Sequence, residues 1–385
     1  MTAQNDGQRE ARCRSDDLRR WREEQYARRA RSQAWLLGRE SGGSGRLKSW
    51  QLRSLPRPAR CGWPLTDTSI RLYDGKAYIG GTERCASPWA CPICTPIIRT
   101  RRARDLRTAI ERWRETDGYN LWFLTLTVPH GKRNPLNETL SLVSGAWSSM
   151  RGSQAWRRYA RDNGIVHYVR SAEITWSPKH GWHPHLHVLL FVITARQPDR
   201  KSIVRMWESS LHALDPNRKS PSKRHGVLLE QADTAGLADY LTKTPDAHRR
   251  RDIASEIVRG DRKNSRNDDG INPFQLLDDD VMQKLGMDTT KRLWCEYVDA
   301  VYRRRSITWS RNLRHDMGID GVEPTDEQII RQSMRGVPVL PLTVEQYRML
   351  RTSPSIYAFS LQCIENGEVP IAVQVIEECT APARN

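Results

Sequence analysis

The chain has 385 residues, room for two or three domains. Its 62 Lys and Arg against 45 Asp and Glu leave a net charge of +17, which points to a polyanionic partner, nucleic acid first, and away from hydrolysis of small neutral substrates. A mean hydropathy of -0.70, no run near the ~18 apolar residues of a membrane span and a polar N-terminus set the expectation of a cytoplasmic protein with no membrane partner.

Residues 1–45 are rich in Arg and end in Glu40-Ser41-Gly42-Gly43-Ser44-Gly45. They read as a basic flexible arm; the alternative is a helix over Asp16–Leu37, whose apolar residues form no stripe. Ile70–Tyr73 and Ala77–Ile79 flank Asp74-Gly75 and predict a hairpin. Next come Cys85 and the Cys91-x-x-Cys94 knuckle, with Cys61 upstream. Four thiolates suit a closed, structural Zn²⁺ site. The alternative is a set of reduced cysteines; the surroundings do not resemble the βαβ unit of a redox CxxC.

Thr100–Arg114 predicts a basic amphipathic helix, and Leu121–Val128 an apolar, β-branched strand. A helix from Asn137 to Ala160, broken near Gly152, precedes a second strand, Val166–Trp176, which carries Glu173. Ser177–Gly181 turns the chain into His183-Pro184-His185-Leu186-His187-Val188-Leu189-Leu190-Phe191. On a strand, residues two apart share a face, so His183, His185 and His187 stand in one row. With even parity across the hairpin Glu173 joins them, making an oxygen/nitrogen site suited to Mg²⁺ or Mn²⁺ beside a phosphate. The alternative is a strand with its histidines in water.

Ser202–Leu214 reads as a helix, Val227–Glu230 as a strand and Thr234–Lys243 as a helix with Tyr240 and Lys243 on one face. Residues 246–270 read as an exposed polar loop. Val281–Arg305, Thr325–Arg331 and Thr343–Arg351 read as helices, and Ala372–Ile376 as a strand.

The order of Phe123-Leu124-Thr125-Leu126-Thr127, His185-Leu186-His187 and Tyr240-Leu241-Thr242-Lys243 resembles the HUH endonuclease superfamily, specifically the rolling-circle replication initiators of plasmids. The cysteine cluster is similar to one found in a branch of those initiators. Relaxases of the superfamily usually carry the Tyr before the His motif, so the order here favours an initiator. The likeness covers about residues 60 to 245.

The resemblance implies an α+β fold, a central antiparallel sheet with flanking helices; the cysteine cluster adds a small zinc-binding module, and the residue pattern beyond 251 a mostly helical C-terminal region. The resemblance also implies Tyr240 as nucleophile, Lys243 as its cationic partner, and a divalent cation on His185, His187 and Glu173; His183 departs from the family pattern and is either a third ligand in place of Glu173 or a mere neighbour. Structural Zn²⁺ would sit on Cys61, Cys85, Cys91 and Cys94. The implied activity is metal-dependent nicking and joining of single-stranded origin DNA through a 5′-phosphotyrosyl bond. Double-stranded origin DNA and a host helicase are further expected partners. The alternatives are a transposase or relaxase of the same superfamily, or a zinc-containing DNA-binding protein without nuclease activity. The expected organisation is the arm over 1–45, the zinc module and basic helix over 46–115, the nuclease domain over 116–250 and a mostly helical accessory, DNA-binding region over 251–385.

Overall fold

The computed structural model describes residues 2–38, 54–115, 118–194, 197–232, 270–319 and 321–381. Two compact units emerge, one from residues 1–98 together with 324–385, the other from residues 99–323. The fold is α+β with antiparallel sheets and flanking helices. No helix among the described residues is long and apolar enough to cross a membrane.

The first unit starts with helix α1, Thr2–Leu37. Strands β1, Pro64–Tyr73, and β2, Lys76–Thr82, form the expected hairpin. Its turn residues Asp74 (φ 48°) and Gly75 (φ 68°) both take the positive φ that a two-residue hairpin turn requires. On its other edge β1 pairs with a strand from near the C-terminus, Val337–Pro341. Helices Val344–Thr352, Pro354–Glu365 and Val369–Thr380 complete the unit; Tyr347, Leu350, Tyr357, Leu361 and Ile376 share its core with Tyr26, Ile70 and Ile79.

The structure departs from two of these expectations. Residues 2–37 of the expected flexible arm form one helix; residues 39–45 lie outside the described residues. Tyr26, Trp35 and Leu36 are buried, the Tyr26 ring lies 3.8 Å from that of Tyr357, and Arg22 forks onto Glu365 at 2.6 and 2.7 Å. Those partners lie some three hundred residues away in sequence, beyond the reach of local pattern. Ala372–Ile376 is helical, because Ala372 and Ile376, four apart, face the same core.

The second unit holds a five-stranded antiparallel sheet whose strands lie in the order Val227–Gln231, Asn120–Thr127, Gly181–Val192, Ile165–Ser177 and Ile307–Trp309. Helix α2, Cys94–Arg114, leads to β3, Asn120–Thr127. Helices α3, Leu136–Gly152, and α4, Gln154–Asp162, follow, broken at Ser153 beside the expected Gly152. Then come β4, Ile165–Ser177, and β5, Gly181–Val192. Helix α5, Arg200–Leu214, and β6, Val227–Gln231, precede residues 233–269, which lie outside the description. The helix expected over 281–305 is two, α6 Asp279–Leu285 and α7 Met287–Ala300, separated at Gly286 (φ 84°); β7, Ile307–Trp309, then closes the sheet.

The faces of the sheet differ. Tyr168 of β4 points to one, where its ring meets Trp147 of α3 at 5.3 Å. Leu186, Val188 and Leu190 of β5 share that parity and are fully buried. On the other face Leu106, Ile110 and Trp113 of α2 pack over Val169, Leu189 and Phe191. This second face also carries His183, His185 and His187, toward the other end of β5.

Candidate functional site

Register positions the histidine row. β4 pairs Glu173 with His185, Ser171 with His187 and Thr175 with His183. β3 pairs Thr125 with His187 and Thr127 with His185. Glu173 therefore shares the histidine face, and three atoms converge there. His187 Nε2 lies 2.8 Å and His185 Nε2 3.3 Å from the same Glu173 oxygen, Oε2, and the two Nε2 atoms are 3.1 Å apart. Their side chains are only 5–12% exposed. Ligands of an octahedral ion at about 2.1 Å stand about 3.0 Å from each other, so the three atoms match one face of such a coordination sphere. Two basic nitrogens and a carboxylate are a donor set for a divalent cation.

A further contact supports this set. Thr125 Oγ1 stands 3.2 Å from His187 Nδ1. With Nε2 kept free as a ligand, Nδ1 carries the proton and donates it to the hydroxyl, which fixes tautomer and ring orientation. The sequence marked Thr125 only as part of an apolar strand and of the first motif of the resemblance; strand pairing makes it a partner of the site.

His183 stands in the row but faces elsewhere. Its Nδ1 is 2.6 Å from His130 Nε2, and His130 Nδ1 is 3.2 Å from the His180 carbonyl oxygen. That carbonyl only accepts, so His130 carries its proton on Nδ1 and accepts from His183 through Nε2. Burial, with the His185 and His130 imidazoles beside it, pushes His183 down to about 3, and burial lowers His130 as well. Both rings are neutral at physiological pH. Sequence pattern missed His130, because the contact comes from the turn after β3 and has no periodic signal.

The first unit contains the second cluster. Cys61, Cys85, Cys91 and Cys94 are all buried, with Sγ atoms within 4.8 Å of one another. Cys61 Sγ lies 3.5 Å from Cys91 Sγ and 3.7 Å from Cys94 Sγ, too far for disulfides and close to the roughly 3.8 Å edge of a tetrahedron of sulfurs about a zinc ion. The turn is held by local bonds. The Trp89 and Ala90 amides donate to Ser87 Oγ, and Ala86 adopts a left-handed φ of 48°. Backbone amides of Ser87 and Cys94 donate to the sulfurs of Cys85 and Cys91, at 3.5 and 3.4 Å, stabilising thiolate charge. Cys94 begins α2, where the helix dipole adds to that effect. Hydrogen bonds from the other three cysteines hold Cys61 well below the usual thiol range, while burial pushes Cys85, and the contact with Cys61 pushes Cys94, well above it, so without a cation the charge gathers on Cys61.

Tyr240 and Lys243 lie outside the described residues.

A family model described as "Replication protein" matches residues 77–335. The chain is similar to a "Protein rep" of Streptomyces lividans, 28% identical over 307 residues, 64% of this chain and 66% of that one. It is also similar to a "Neomycin resistance protein" of Streptomyces cyanogenus, 24% identical over 146 residues, 32% of this chain and 33% of that one. The matches thus span just under two thirds and one third of these relatives' lengths. No solved structure matches. The family match covers the cysteine knuckle, the sheet and the histidine row alike, and the chain belongs to the replication-protein family.

Proposed function

We propose that the chain is a plasmid rolling-circle replication initiator that nicks and rejoins one strand of origin DNA. One observation carries the reading: Glu173, His185 and His187 aim three ligand atoms at one point, in a chain of the replication-protein family. Mg²⁺ or Mn²⁺ held there would polarise a non-bridging oxygen of the scissile phosphate.

The chain's own residues supply the rest. Thr125 keeps His187 in its ligating tautomer. The phenol oxygen of Tyr240 attacks phosphorus, the bond from phosphorus to the 3′ oxygen breaks, and a 5′-phosphotyrosyl ester forms. The phenol gives up its proton, and the departing 3′ oxygen takes one up to become the 3′-hydroxyl that primes synthesis. A phenol of pKa about 10 needs a neighbouring cation to react at neutral pH, the role assigned to Lys243. Rejoining reverses the step and needs no ATP, since the ester conserves the phosphodiester energy. Cys61, Cys85, Cys91 and Cys94 hold Zn²⁺ in a closed, structural site.

The test is a denaturing gel of protein incubated with Mn²⁺ and labelled single strands spanning the origin of its own replicon. Wild type should yield a band that survives SDS and boiling. Tyr240→Phe and the double variant His185→Ala/His187→Ala should yield none. Cleavage that persists in Tyr240→Phe would remove Tyr240 as nucleophile. Origin binding without cleavage by wild type would leave the DNA-binding reading in its place.

A further inference from the structure

Three loops meet at the end of the sheet nearest the triad. β3 ends at Thr127, opposite His185, and runs into residues 129–135; residues 178–180 join β4 to β5; residues 215–226 lead into β6. They are tied to one another. His130 Nδ1 bonds the His180 carbonyl, and Arg218 Nη1 donates to the Pro129 carbonyl at 3.3 Å. The Thr127 amide donates to the Gly226 carbonyl at 3.0 Å, and its hydroxyl to that of His225 at 3.1 Å. Gly181 permits the close approach of the first two loops. Its φ is +72°, and a Cβ there would stand 2.9 Å from Lys132 Cα.

The charge on these loops is one-sided. Lys132 and Arg133 sit on the first, Lys179 on the second, and Lys219, Lys223 and Arg224 on the third, all exposed. Asp215, the one acid on the three loops, is engaged by Arg218 at 2.8 Å. Among the described residues no carboxylate forms an ion pair with any of the six exposed cations. Like charges gathered on a rim repel one another, and a polyanion relieves that repulsion while releasing its own counterions.

We infer that this basic collar is the track by which the phosphates of a single DNA strand approach the Glu173–His185–His187 triad. The collar is continuous with the triad: Thr127, whose neighbours carry the third loop, pairs directly with His185. The choice of single-stranded DNA as occupant rests on the nicking function proposed above; the choice of a polyphosphate rests on the charge alone.

The full chain, in EDTA so that cleavage plays no part, is titrated with fluorescent oligothymidylate over a series of salt concentrations. Variants are Lys219→Ala/Lys223→Ala/Arg224→Ala and Lys132→Ala/Arg133→Ala. The control with equal charge loss is Arg157→Ala/Arg158→Ala/Arg161→Ala on α4, which precedes the opposite end of β4. All these residues are exposed, so unchanged thermal unfolding is expected of each variant. The third-loop triple should bind about tenfold more weakly at low salt and flatten the log–log salt slope by about 2, at about 0.7 per lost phosphate contact. The control should change affinity less than about twofold by the same reasoning. Equal effects of collar and control variants would overturn the collar, as would a loss seen only with duplex DNA; the phosphotyrosyl gel would stand apart from either result. A collar that binds while wild type forms no covalent adduct would keep this surface and remove the endonuclease reading.

Discussion

The Thr125 hydroxyl has a role that its residue type does not announce. It lies 3.2 Å from His187 Nδ1, and groups that orient a ligating imidazole typically contribute a factor of about 10–100 in metal affinity. Thr125→Val keeps the β-branched shape and removes the oxygen. Mn²⁺ affinity by calorimetry should fall by about that factor, while Thr125→Ser restores most of it. An unchanged affinity in Thr125→Val would separate the Thr from the site. Glu365 makes a second residue-scale case. It accepts the Arg22 fork and the Ala77 amide at 2.7 Å, at a largely buried position. Glu365→Ala strands the Arg22 guanidinium without its partner, at a cost of about 3–5 kcal/mol, visible as a lower denaturation midpoint. The histidine row and Glu173 on the neighbouring strand were legible in the sequence; the parity that puts Glu173 on the histidine face was left open there, and the partners Thr125 and His130 were not legible, since each depends on which strand or turn lies alongside.

Among the elements, the β4–β5 hairpin was legible from two apolar runs and the turn Ser177–Gly181, whereas its register, which pairs Glu173 with His185, came only with the structure. The cysteine knuckle was equally readable. Chelating metal from Cys61, Cys85, Cys91 and Cys94 would leave buried thiolates without a cation. Zinc content near one per chain and a melting transition that falls on chelation are therefore expected, with both lost in Cys91→Ser/Cys94→Ser. A chain that melts identically with and without chelator would rule out a structural metal there. The short strands Ile307–Trp309 and Val337–Pro341 escaped the sequence reading, being only three and five residues long and recruited by the edges of sheets formed elsewhere.

Across the whole molecule, both chain ends build the first unit. The core around the four cysteines includes Ile98 and also Ile329 and Ile330, and α1 packs on the helix Pro354–Glu365. Removing residues 354–385 takes away Tyr357, Leu361, Ile364, Ala372 and Ile376, and with them the partners of Tyr26 and Ile79. The truncated chain should lose bound zinc and protease resistance in residues 1–98, because apolar surface of that extent cannot stay exposed without the unit loosening. Retention of both would mean that the cysteine turn is held by its local bonds alone.

Sequence by itself determined the His–x–His row and the set of four clustered cysteines, because these depend on period, on spacing and on the donor atoms of single side chains; the α+β class came from the family resemblance that the motifs carry. Only the tertiary structure decided that His183 pairs with His130, that Thr125 backs His187, that the basic N-terminal segment is a docked helix, and that three loops pool their cations at the triad's end of the sheet. Each of those facts is a contact between segments far apart in the chain. Burial energy, not local propensity, selects such contacts.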